Sequence, residues 1–187
     1  MHINPILDII NKSRCLGSSN QCYDVMYAVT RAFQVKTVVE IGTHRGASAI
    51  VFCQAVLDNG EIPKVYTVDS WVQADVKQIA YGYFQEAGFL EHIEMIEGDS
   101  KIVVPKLLAT IGKVDLILID GDHAYESITQ DYENCKNSTD LIFFHDTGFG
   151  KLSYLQQVVQ EGWNVLSFPT KYAEGDGHIV GITLARR

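Results

Sequence analysis

Two stretches of the sequence bring acids and imidazoles close enough together for chemistry: Asp120-Gly121-Asp122-His123 and, further on, His145-Asp146. Each follows a short apolar run, Leu116-Ile117-Leu118-Ile119 and Leu141-Ile142-Phe143-Phe144. If those runs are neighbouring parallel strands, Asp120 and Asp146 stand roughly 5 Å apart at their carboxyl ends. Carboxylates that close repel unless a proton or a cation lies between them. Hard oxygen donors of this kind suit Mg2+ or Mn2+ rather than a structural zinc. His145 is either a third ligand, a group that orients the ligands, or a buried polar side chain. His123, on the connecting loop, is placed to act as a general base beside the cation. The plainer alternative makes Asp120 or Asp122 a helix cap and His123 a surface residue.

Three other apolar runs also end in polar or glycine residues. The first gives Glu40-Ile41-Gly42-Thr43-His44-Arg45-Gly46. Its glycines allow close backbone approach and expose N–H groups to a ligand. There is no second glycine two residues after Gly42, so the pattern is not the dinucleotide fingerprint. The second run ends at Asp69, where a carboxylate can accept hydrogen bonds from a ribose diol. Trp71 follows it and either covers a ring or packs in the core. The third ends at Gly98-Asp99-Ser100, whose side chains either meet an adenine or cap the next helix. Together these three edges describe a nucleoside site.

The elements that must position these residues follow from the alternation of short apolar runs with helical patterns from Lys36 onward. Val38–Ile41, Val65–Val68, Ile93–Ile96, Leu116–Ile119 and Leu141–Phe144 read as strands buried on both faces, separated by helices. That is the signature of a parallel sheet of βαβ units. The helix after Asp99 is expected to be interrupted at Pro105. Asn164–Phe168 and His178–Leu184 have no helix between them, which permits only antiparallel pairing. The expected count is five parallel strands and a terminal hairpin. Residues 1–35 read as a helical extension, with Asn4-Pro5 as a helix start, and residues 36–187 as the ligand-binding domain.

Composition narrows the partners. The chain has 187 residues, with 15 Lys plus Arg against 23 Asp plus Glu, for a net charge of −8. No basic face is available to neutralise phosphates, so a nucleic-acid partner is excluded. No apolar run reaches the roughly 18 residues of a membrane span. The N-terminus lacks the basic region of a signal peptide. Cysteines at 15, 22, 53 and 135 have no metal-knuckle or disulfide-scaffold spacing, as expected of a reduced cytoplasmic protein.

With these residues assembled, the sequence resembles the class I S-adenosylmethionine-dependent methyltransferases. Val38-Val39-Glu40-Ile41-Gly42-Thr43-His44-Arg45-Gly46, Asp69, Gly98-Asp99-Ser100 and the final hairpin carry the likeness. Ile119-Asp120-Gly121-Asp122-His123-Ala124-Tyr125-Glu126 with Phe143-Phe144-His145-Asp146-Thr147 is similar to the small metal-dependent O-methyltransferases, including those acting on macrolide sugars. The resemblance spans residues 36 to 187. It implies a doubly wound, Rossmann-like α/β fold of seven strands with the last antiparallel.

It further implies that Glu40, Gly42, Thr43 and Gly46 face the cofactor's methionine part, that Asp69 holds the ribose, and that Asp99 and Ser100 lie near adenine. Asp120, Asp146 and His145 would hold Mg2+ or Mn2+, with His123 as base. The acceptor would be a hydroxyl on a small molecule such as a sugar, diol or natural product. Its pocket would come from the N-terminal helices, the loops near Trp71 and after Asp146, or a second subunit in a homo-oligomer. Two departures stand out: His145 replaces a common second acid, and Asn137-Ser138-Thr139 replaces the usual Gly-Gly before the last parallel strand. A nicotinamide-dependent oxidoreductase, a metal-dependent hydrolase and a non-catalytic relative remain as alternatives.

Overall fold

The computed structural model describes residues 5–13, 20–147, 153–171 and 179–187. Apolar runs rich in Val, Ile, Leu and Phe form the strands β1 (Thr37–Ile41), β2 (Lys64–Asp69), β3 (Ile93–Glu97), β4 (Leu116–Ile119) and β5 (Leu141–His145). They are followed by β6 (Asn164–Lys171) and β7 (Ile179–Arg186). The helices are α1 (Pro5–Ser13), α2 (Asn20–Ala32), α3 (Ala47–Asp58), α4 (Ala74–Glu86), α5 (Ser100–Ile111), α6 (Tyr125–Cys135) and α7 (Ser153–Gln160).

All seven strands join one sheet in the order β3-β2-β1-β4-β5-β7-β6. The pairs from β3 through β5 are parallel, and β7 runs antiparallel to both β5 and β6. The expected five parallel strands and hairpin are therefore present. Consecutive strand residues face opposite sides of the sheet, so each central strand feeds two cores. Val38, Leu116, Leu118 and Phe143 pack with Ile50, Phe52 and Phe84 of α3 and α4. Val39, Ile117, Ile119, Ile142 and Phe144 pack with Val104, Leu108, Ile128 and Tyr132 of α5 and α6. Helices on both faces explain why these strands read as continuous apolar runs rather than as alternating ones.

Chain direction across the sheet reverses between β1 and β4. That is the switch point where open α/β sheets bind ligands. Ile41 sits level with Val68 on one side and Ile119 on the other, and Ile119 is level with Phe144. The carboxyl ends of β2, β1, β4 and β5 thus open along one edge.

Three sequence expectations are adjusted. Pro105 lies inside α5, which continues through it. β6 extends to Lys171 and includes Pro169, which an edge strand tolerates. Asn4, Cys15 and His178 lie outside the described residues, and β7 begins at Ile179. Cys22, Cys53 and Cys135 are buried, and among the described residues none forms a disulfide. Ile9, Ile10, Cys22, Tyr23 and Met26 of α1 and α2 share the α3 core. Among the described residues no helix is long and apolar enough to cross a membrane.

Candidate functional site

The first turn of the site is held by backbone. The Gly42 N–H donates to the Val68 carbonyl at 2.8 Å, and the Asp120 N–H donates to the Ile41 carbonyl at 2.8 Å. Gly42 has φ +97°, and a Cβ there would stand 2.1 Å from the Asp120 carbonyl oxygen. A side chain would force β1 and β4 apart at the switch point. Gly46, with φ +85°, precedes α3, and a Cβ on it would meet the Phe84 ring at 2.2 Å. His44, Trp71 and Asp146 also have positive φ, at 45°, 37° and 55°. Such backbone costs on the order of 1–3 kcal/mol per residue and gathers at functional sites. Here all three lie just beyond the ends of β1, β2 and β5.

Asp69 is oriented before any ligand arrives. One carboxylate oxygen accepts the His44 N–H and the other the Trp71 N–H, each at 2.8 Å. Each oxygen keeps a lone pair for a further donor. Trp71 is buried, and the Lys77 ammonium lies 5.1 Å from the centre of its ring. Asp99 caps α5 by accepting the Lys101 N–H at 3.0 Å. The Ser100 hydroxyl donates to Asp131 Oδ1 at 2.8 Å. The capping alternative is therefore the visible one for Asp99, while Ser100 turns toward α6. Asp131 was not singled out from the sequence, although it shares a helical face with Ile128, Tyr132 and Cys135. A charge on an apolar stripe was the signal available.

Glu40 lies beneath the crevice, fully buried. It accepts hydrogen bonds from the Ser48 and Thr67 hydroxyls, and Thr43 is hydrogen-bonded to Thr67 in turn. Burial raises its carboxyl to about 8; the Ser48 and Thr67 hydrogen bonds pull it down, and the charges on Asp120 and Asp69 push it further up.

The ends of β4 and β5 carry the second constellation. His145 Nδ1 lies 2.9 Å from Asp120 Oδ1 and 3.2 Å from Asp146 Oδ1, with its side chain 6% exposed. Burial opposes a charge on this imidazole. The Asp120 charge and hydrogen bonds to Asp120, Asp146 and Cys22 together outweigh burial and hold it well above the usual histidine range. His123 Nε2 lies 3.4 Å from Asp146 Oδ2, with its side chain 45% exposed. One ligand atom each from Asp120, His123 and Asp146 falls within a 4.8 Å group. The two carboxylates are hard oxygen donors that suit Mg2+ or Mn2+, whereas an imidazole suits softer transition metals. His123 lies beside the two carboxylates, and His145 stands behind them, facing both. Asp122 is spent at the start of α6, accepting the Ala124 N–H at 3.2 Å and the Ser127 hydroxyl at 2.6 Å.

A family profile described as Methyltransferase domain matches residues 39–147. The uncharacterized protein y4gI of Sinorhizobium fredii is 27% identical over 170 residues. That match takes in 79% of this chain but only 19% of the relative. Among solved structures, the O-methyltransferase TomG of Streptomyces achromogenes, which is involved in tomaymycin synthesis and was solved with SAM, superposes with TM-score 0.80 at 15% identity. That match covers 100% of this chain and 90% of TomG. An O-methyltransferase from Bacillus cereus in complex with SAH gives TM-score 0.77 at 13% identity, covering 100% and 92%. A SAH-bound Podospora anserina methyltransferase gives 0.75 at 16%, covering 98% and 88%. At these identities the structural likeness establishes the fold.

Proposed function

This chain belongs to the methyltransferase-domain family and has the fold of the class I S-adenosylmethionine-dependent enzymes, and we propose that it methylates a hydroxyl oxygen of a small molecule with the help of a divalent cation. The observation that carries the reading is the placement of Asp120, His123 and Asp146 in one group at the strand ends beside the Gly42 turn and Asp69. Family membership disfavours the nicotinamide alternative, whose fingerprint the Gly42 turn already lacks.

Asp69, held by two backbone N–H groups, would accept hydrogen bonds from the ribose hydroxyls of the cofactor. The Gly42 turn, free of a side chain, lets the cofactor lie against backbone. S-adenosylmethionine, when bound, supplies a methyl already activated on a sulfonium, so the protein's main task is alignment. Asp120 and Asp146 would hold the cation, which when bound lowers the pKa of a coordinated hydroxyl. His145 keeps those two carboxylates in register from beneath. His123 would take the proton of the acceptor hydroxyl, to which the sulfonium's methyl would pass. Asp146, 3.4 Å away, favours the imidazolium that results.

The test is direct. Calorimetry should show binding of S-adenosylhomocysteine, and methyl transfer to a panel of vicinal diols, catechols and hydroxy acids should be stopped by a chelator and restored by Mg2+. Asp146→Asn should abolish the metal-dependent turnover while S-adenosylhomocysteine still binds. Binding of NAD in place of S-adenosylhomocysteine would overturn the reading.

A further inference from the structure

Asp131 is a carboxylate that packing alone does not account for. It is 1% exposed and lies on the face of α6 that buries Ile128, Tyr132 and Cys135 in the core. An apolar residue there would avoid the cost of desolvating a charge. No ion pair reaches Asp131 among the described residues. Its Oδ1 accepts the Ser100 hydroxyl at 2.8 Å, and Oδ2 lies 4.0 Å from where a Cβ on Gly121 would stand. Ser100 opens α5 directly after the Asp99 cap, at the end of β3. Gly121 sits between Asp120 and Asp122. One buried side chain therefore lies between the nucleoside edge of the site and the loop that carries the acids and His123.

We propose that Asp131 is a positioning residue: through Ser100 it anchors the first turn of α5 under the nucleoside edge. This rests on the methyl-transfer reading, since the nucleoside edge is the cofactor's. The ionised form does the anchoring, because only a carboxylate has no proton of its own to compete with the Ser100 donor. Burial raises this carboxyl to about 6; the Ser100 hydrogen bond and the Lys101 charge lower it, and the Asp99 and Asp122 charges raise it. Above that range Asp131 is ionised and Ser100 is held. Below it, the proton weakens the anchor.

The experiment measures S-adenosylhomocysteine affinity and thermal stability for the wild type, Asp131→Asn, Ser100→Ala and the double variant between about pH 5 and pH 8. At neutral pH each single variant should bind about tenfold more weakly, the value of one charge-assisted hydrogen bond. The double variant should be no weaker than the weaker single one, as for two members of one interaction. The wild type should lose affinity as pH falls through about 6, and Asp131→Asn should not show that step. Folded single variants that bind within about twofold of the wild type overturn the proposal, and so do fully additive losses. Ser100→Ala keeps the test open if Asp131→Asn fails to fold. A wild type that binds no S-adenosylhomocysteine overturns the methyl-transfer reading, and this inference falls with it.

Discussion

At the scale of single residues, the site separates its two histidines by burial. His123 is open to the crevice mouth, whereas His145 is enclosed with Asp120 and Asp146. A general base must exchange its proton with substrate and solvent, so exposure favours His123 for that task. His123→Ala should lower turnover on the order of 10²-fold or more and leave the affinity for Mg2+ within a few-fold. A collapse of metal affinity, measured by calorimetry, would make His123 a ligand instead of the base. Glu40 carries the second prediction. Its carboxyl is raised to about 8 in the fold, from an ordinary value of 4.5. Between those values the unfolded chain is ionised while the folded one keeps its proton, so this group makes stability fall as pH rises, by at most about 1.4 kcal/mol per pH unit. Glu40→Gln, which retains an amide for Ser48 and Thr67, should flatten that decline in urea melts from pH 5 to 8. An unchanged slope would mean that Glu40 is ionised throughout.

At the scale of elements, most boundaries were legible because each strand is an apolar run ended by a polar or glycine residue. Leu116–Ile119 is a strand over the same span read from the sequence. α5 is the exception. Pro105 signals a break, since it has no N–H for the Lys101 carbonyl and its ring crowds the preceding turn. The helix persists because Val104 and Leu108 on either side are buried against the sheet, and burial of such side chains contributes about 1.5–3 kcal/mol each. Local sequence cannot show that, because it does not reveal which face meets the core. Pro105→Ala should therefore stabilise the protein by about 1–3 kcal/mol in chemical denaturation, with cofactor affinity unchanged. Destabilisation would show that the proline ring itself fills a needed place.

At the scale of the whole molecule, the N-terminal helices are bound to the sheet domain by both packing and polar ties. Met26 is buried in the core that α3 shares with the sheet. The Tyr27 hydroxyl donates to Asp58 at 2.5 Å, and Arg31 Nε donates to Asn59 at 2.7 Å. Cys22 reaches the His145 imidazole from the same helix. Met26→Ala should cost about 2–5 kcal/mol of global stability in a single unfolding transition. A separate low-temperature transition for the helices would show that they fold independently of the sheet. Part of the chain's net acidity is internal, since Glu40 and Asp131 are buried.

The sequence by itself determined the fold class, the order of strands and helices, and the residues lining one edge of the sheet, because apolar runs and strand-end residues are local properties. It also carried the resemblance to the methyltransferases. Only the tertiary structure decided which of those residues face the crevice and which support it from below. Glu40 and Ser100 turn inward to Thr67 and Asp131, and His145 stands behind the carboxylates while His123 lies beside them. The reason is physical: a residue's position along a strand fixes which edge it reaches, but its burial and partners come from elements distant in the chain, here α3, α6 and α2.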